Sequence, residues 1–167
     1  MRMRSLLGTA ATAVLMVAGL ATSATAAGAT PAPAASGSGT TIVLPAPPAD
    51  AGTRVAAAAS PSVSPSAPST HQSSGASFTC ASGNFCAMVW DHSTGSWEVF
   101  RFDRCATYAL SNWEDGGFYG NNQTGGRATA TFYGQGGRWL KDVPISAPPA
   151  GAASQDWSPV WSIRNCY

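Results

Sequence analysis

The chain is 167 residues long, 44% hydrophobic and only 10% charged, with a formal net charge of +1. These averages join two unlike halves: all sixteen aromatic residues and all four cysteines lie between Phe78 and Tyr167, whereas residues 1–77 carry eight of the twelve prolines. A foldable stretch of about 90 residues excludes a large enzyme domain and a nucleotide-binding α/β fold, and its six Arg and Lys against seven Asp and Glu exclude a basic nucleic-acid surface.

Arg2 and Arg4 precede an uncharged run from Leu6 to Leu20, which ends in Ala21-Thr22-Ser23-Ala24-Thr25-Ala26. A positive start, an apolar core and an A-x-A site predict a secretory signal peptide over 1–26, cut after Ala26 or Ala27. The apolar run is shorter than the ~20 residues that span hydrocarbon, so the expected product is extracellular and free of the membrane after cleavage. Residues 27–77 are rich in Ala, Pro, Ser, Thr and Gly, with Asp50 and Arg54 their only charges. Such a segment buries too little apolar surface to offset its ordering entropy, and it reads as a disordered linker or propeptide. Thr40-Thr41-Ile42-Val43-Leu44 departs from that composition. It is either an apolar cluster within the linker or a short strand offered to a partner's open sheet edge.

Residues 78–167 read as a disulfide-linked β domain. Cys80, Cys86, Cys105 and Cys166 in an exported chain suggest bridges, and their spacing lacks the two close pairs of a zinc site, so neither a metal nor another cofactor is expected. Three pairings are open. The Gly83-Asn84 turn between Cys80 and Cys86 favours Cys80–Cys86 with Cys105–Cys166. Phe85 to Trp90 is β-rich, and Asp91–Ser96 reads as a turn. Trp97 to Phe102 alternates, with Trp97, Val99 and Arg101 on one face and Glu98, Phe100 and Phe102 on the other. Arg127–Tyr133 and Arg138–Val143 form an expected hairpin across Gly134–Gly137, Ser146–Asp156 an exposed loop, and Val160–Cys166 a closing strand. The expected core includes Phe85, Val99, Phe100, Phe132, Leu140 and Ile163. Short strands joined by Gly-rich turns give an all-β, Greek-key sandwich.

Trp113-Glu114-Asp115-Gly116-Gly117-Phe118-Tyr119-Gly120 has the aromatic, four residues, aromatic, any residue, Gly spacing of a βγ-crystallin motif. With Cys80-x-x-Gly83-x-x-Cys86, Ser111-Asn112-Trp113 and Asn121-Asn122-Gln123-Thr124-Gly125-Gly126, the region from about 80 to 167 resembles small secreted actinobacterial proteins of the Streptomyces metalloproteinase inhibitor-like family. The resemblance implies a βγ-crystallin-like fold, secretion and peptidase inhibition by binding. The characterised inhibitor holds its reactive bond beside a second short-range disulfide, whereas Cys105 and Cys166 have 60 residues between them. No reactive-site residue is therefore carried over. Asp91–Ser96, Gly134–Gly137 and Ser146–Asp156 are the candidate rigid loops, each also readable as an ordinary connection.

Asn121-Asn122-Gln123-Thr124 is similar to the calcium loop of βγ-crystallins, but its hydroxyl residue stands one place early and it offers neutral oxygens unless Glu114 or Asp115 folds back; a turn-forming role is the simpler reading. No catalytic residue is assigned. His92 is the one histidine of residues 78–167, beside Asp91 in a turn, and Glu114 and Asp115 would point apart on a strand. The expected partner is a protein, either a protease or a member of a secreted assembly. Six Trp in so short a stretch also suit a binding module, and exposed ones would stack on cell-wall or other carbohydrate.

Overall fold

The computed structural model describes residues 39–52, 59–125, 129–145 and 152–166. The expected signal peptide and residues 27–38 lie outside these, as do 53–58 and 146–151. Twelve strands are described: β1 (Thr40–Val43), β2 (Ser62–Ser64), β3 (Ser69–Gln72), β4 (Ser77–Cys80), β5 (Asn84–Asp91), β6 (Ser96–Phe102), β7 (Ala106–Ser111), β8 (Gly116–Asn122), β9 (Thr129–Tyr133), β10 (Trp139–Pro144), β11 (Ala153–Asp156) and β12 (Ser162–Cys166), with one 3₁₀ turn at Gln135–Gly137. All belong to one compact unit, Ala34–Tyr167.

Two antiparallel five-stranded sheets, ordered β10-β9-β12-β7-β2 and β11-β8-β5-β6-β3, face each other, and β1 and β4 form a separate two-stranded ribbon. Phe85, Ala87 and Val89 of β5 and Phe100 and Phe102 of β6 meet Tyr108, Phe132 and Ile163 of the opposite sheet in the principal core. The other face of β5 and β6, with Cys86, Met88, Trp90, Trp97 and Val99, lies under the ribbon's Ile42, Leu44, Phe78 and Cys80. Two-sided burial explains why neither strand has a polar face. The expected faces of 97–102 are the observed ones, and every expected core residue is buried except Leu140, which is only half-buried.

The expected boundary at Phe78 falls inside the folded unit. Three strands precede it, because serine- and threonine-rich segments can pair at sheet edges, where one flank stays in water and little apolar surface is required. The Thr40–Leu44 patch is consumed by its own chain, with Thr40 opposite Cys80 and Val43 opposite Ser77. Within the expected loop Ser146–Asp156, Ala153–Asp156 is an edge strand on β8, Ala153 opposite Tyr119. Its sequence, Ala-Ser-Gln-Asp, carries no apolar alternation to reveal it. The disulfides are Cys80–Cys86, which joins the ribbon to the sandwich, and Cys105–Cys166.

Candidate functional site

The connection between β7 and β8 is built around two residues in the left-handed region, Asn112 and Asp115, each at φ 61°. They are the only non-glycine residues with positive φ among those described, and Asn and Asp tolerate that conformation best. Their surroundings hold it. Asn112 Nδ2 donates to Ser60 O at 3.1 Å and Trp113 Nε1 to Ser62 O at 3.1 Å. The Asp115 N–H donates to Ser158 Oγ at 3.1 Å, and the Trp157 N–H to Asp115 O at 2.8 Å. Beneath the loop, Trp113 lies 4.9 Å from Phe100 and stands perpendicular to Trp157 at 5.0 Å.

The result is a groove of about 470 Å³ at one end of the sandwich, floored by Leu110, Trp113 and Val160 and rimmed by Asn112, Glu114, Asp115, Ser158 and Trp161. Trp161 is 53% exposed. Its backbone is fixed on both sides, since its N–H donates to Tyr133 O and its carbonyl accepts from Leu110 N. An indole on an anchored backbone, beside amide, carboxyl and hydroxyl groups, can stack on a flat ligand while those groups bond its polar edge. Of the six tryptophans, Trp90, Trp97, Trp113 and Trp157 belong to the cores, leaving Trp161 and Trp139 exposed.

A second polar cluster lies on the inner face of the other sheet. Glu98 on β6 is paired with His71 on β3 and with Val89 on β5, which brings Asp91, two residues beyond Val89, to the same place. His71 Nε2 lies 3.0 Å from Asp91 Oδ2 and 3.8 Å from Glu98 Oε2. Ser93 donates to Asp91 Oδ1 through its N–H at 2.8 Å and its hydroxyl at 2.7 Å, and the Ser69 hydroxyl donates to Glu98 Oε1 at 2.8 Å. Burial pushes the Asp91 carboxyl upward, but the Ser93 hydroxyl, His71 and the Ser93 N–H outweigh it and hold the pKa at about 2. Glu98 is shifted upward by burial, against the opposing pull of Ser69 and His71. Neither carboxyl lines the Trp161 groove.

The candidate histidine and acids sit differently from expectation. His92 Nε2 is 3.2 Å from Asp115 Oδ2 and does not pair with the adjacent Asp91, whose own partner is His71, from the segment expected to be linker. Glu114 and Asp115 precede β8 in the loop rather than occupying a strand. The Asn121-Asn122-Gln123 run seals the opposite end of the sandwich. Asn121 donates to Val143 O and accepts from the Gln123 N–H, Asn122 donates to Cys80 O, and Gln123 Nε2 donates to Asn165 Oδ1. Gly134–Gly137 does form a tight turn, exposed from Gln135 on, and Asp91–Ser96 a tight turn closed by Gly95 N–H to Asp91 O.

Sequence reasoning missed Ser60, Ser69 and His71 because composition assigned them to a linker. Ser69-Thr70-His71-Gln72 carries no apolar alternation to mark it as a strand. Which tryptophans stay exposed has no sequence signal at all. No protein-family model, curated protein or solved structure matches this chain.

Proposed function

We propose that the protein is an exported, non-catalytic binding module that takes carbohydrate in the Trp161 groove. The observation that carries the reading is Trp161 itself, an exposed indole on a backbone tied at both its N–H and its carbonyl, above a rim of Asn112, Glu114, Asp115 and Ser158. A sugar ring presents an apolar C–H face for the indole and hydroxyls for the rim. Backbone anchoring on both sides of Trp161 reduces the main-chain entropy cost of binding. Export rests on the signal-like residues 1–26; two disulfides support it. Among the described residues no helix is long and apolar enough to cross a membrane.

Retention of the purified protein on chitin, cellulose and peptidoglycan tests the reading. Trp161→Ala should weaken retention by roughly tenfold to a hundredfold, the usual cost of truncating an aromatic anchor. Trp139→Ala, at the other exposed indole, should leave it unchanged. Equal retention of wild type and Trp161→Ala, or no retention on any of the three, rejects the groove as a sugar site.

Peptidase inhibition, implied by the family resemblance, is the second reading, and one hairpin favours it. Residues 135–139, the turn after β9 and the first residue of β10, are all exposed, and Gly134 N–H to Arg138 O at 2.7 Å closes the base of the turn. Arg138 and Trp139 (59% exposed) would be its contact side chains. The whole chain should then slow a thermolysin-like or subtilisin-like protease at near-stoichiometric ratio, with Arg138→Ala/Trp139→Ala relieving the effect. Digestion of the protein, or no effect on either protease, removes this reading.

A further inference from the structure

We propose that His71, Asp91 and Glu98 form a binding site for a divalent transition metal, with Zn²⁺ the best match. The three side chains come from β3, β5 and β6, adjacent strands of one sheet, and one ligand atom from each lies within 4.8 Å of the other two. The ligand atoms of a tetrahedral zinc site, at about 2.0–2.1 Å from the ion, sit roughly 3.3 Å apart. The separations here, 3.0 Å from His71 Nε2 to Asp91 Oδ2 and 3.8 Å to Glu98 Oε2, bracket that value.

Two further features single this cluster out from ordinary acidic surface. Glu98 Oε2 is buried, in a side chain only 7% exposed, and has no hydrogen-bond partner among the described residues. It faces the imidazole from just beyond hydrogen-bond reach. An unpartnered buried carboxylate oxygen is costly, and a bound cation would relieve it. The second oxygen of each acid is already held by a hydroxyl, Asp91 Oδ1 by Ser93 and Glu98 Oε1 by Ser69. This is how outer-shell donors orient ligating carboxylates, leaving Oδ2 and Oε2 aimed at the same point as Nε2.

The choice of ion follows from the donors. One imidazole nitrogen with two carboxylate oxygens suits borderline Zn²⁺, whereas Ca²⁺ and Mg²⁺ ask for six or more oxygens or waters. Binding requires Nε2 to be unprotonated, with the neutral ring carrying its proton on Nδ1. The dication then balances the two carboxylates. His71 is 44% exposed, so the fourth position faces water. The ion would tie β3, an edge strand, to the middle of its sheet.

The chain has two histidines, so His92 is the internal control. Zn²⁺ at about a hundredfold of its Kd should raise the Tm of the purified protein by on the order of 8 °C, and Mg²⁺ or Ca²⁺ should not. One equivalent of Zn²⁺ should move the imidazole NMR resonances of His71 and leave those of His92 in place. His71→Gln and the isosteric Glu98→Gln should each lose the Tm response, while His92→Gln keeps it. Glu98→Gln preserves the side-chain shape, so it tests the site even if His71→Gln folds poorly. The proposal is overturned by no Tm response in the wild type, by a response that survives both His71→Gln and Glu98→Gln, or by one abolished in His92→Gln.

Discussion

Replacing Cys105 and Cys166 together by serine should lower the stability of the folded unit by about 4 kcal/mol. The bridge closes a loop with a sequence separation of 61, against 6 for Cys80–Cys86, for which the same loop-closure reasoning gives only about 2 kcal/mol. Its position adds to the effect. Cys166 ends β12, which lies between β9 and β7 in the middle of its sheet, and Asn165 beside it pairs with Ala106. Asn165 Nδ2 donates to both Phe102 O and Arg104 O, and its Oδ1 accepts from Gln123. Fraying of β12 would therefore open the polar network that seals that end of the sandwich. For a unit of this size the loss amounts to a fall in Tm on the order of 15 °C. Thermal and urea unfolding of the double variant should show it. A change smaller than that from opening Cys80–Cys86 would refute the assignment of the long bridge as the stronger restraint.

Gly117→Ala should cost a comparable amount, more than about 3 kcal/mol, although it adds a single methyl group. A Cβ at Gly117 would stand 2.2 Å from Met88 O and 2.3 Å from Trp157 Nε1. Those two atoms are hydrogen-bonded to each other at 2.9 Å across the face of β8, so the glycine is the gap through which the Trp157 indole reaches the β5 backbone. Neither can yield freely, since Met88 O belongs to a strand buried on both faces and the Trp157 side chain is wholly buried. Displacing the indole would leave a buried N–H and a carbonyl without each other. It would also disturb the groove, because the Trp157 indole supports Trp113 from below and the Trp157 backbone N–H donates to Asp115 O. Gly116→Ala is the matched control: nothing lies within 4 Å of its Cβ position, and its stability should change by less than about 1 kcal/mol. Unfolding free energies of the two variants, with near-ultraviolet circular dichroism for the tryptophans, separate the outcomes. Equal stabilities would show that the Trp157 contact is dispensable.

The legible parts of the fold were those that involve many apolar residues in regular alternation. Trp97 to Phe102 declares both its faces, Phe85 to Trp90 declares a strand, and Gly134–Gly137 declares the turn before β10. The edge strands β2, β3 and β11 were not legible. Each is three or four residues long and rich in Ser, Thr or Gln, and it is held by backbone pairing that leaves no side-chain signature. The same limitation hid much of both candidate sites. His71 and Ser69 stand on β3, and Ser60 and Ser62 hold the Asn112–Trp113 loop, all within a stretch whose composition suggested a linker. Trp161 was visible as a residue but not as a platform, since its exposure depends on where β12 enters its sheet.

By itself, the sequence determined the all-β character, the two faces of Trp97–Phe102 and the pairing favoured for the cysteines. These depend on local periodicity and on the reach of a short turn. Tertiary structure alone decided that residues before Phe78 join the sheets, that Asp91 pairs with His71 rather than neighbouring His92, and that four tryptophans go inside while Trp161 stays at a groove. Those outcomes depend on register. A strand's hydrogen bonds make residues distant in the chain into neighbours, and the identity of a neighbour across a sheet is not written in the spacing along either strand.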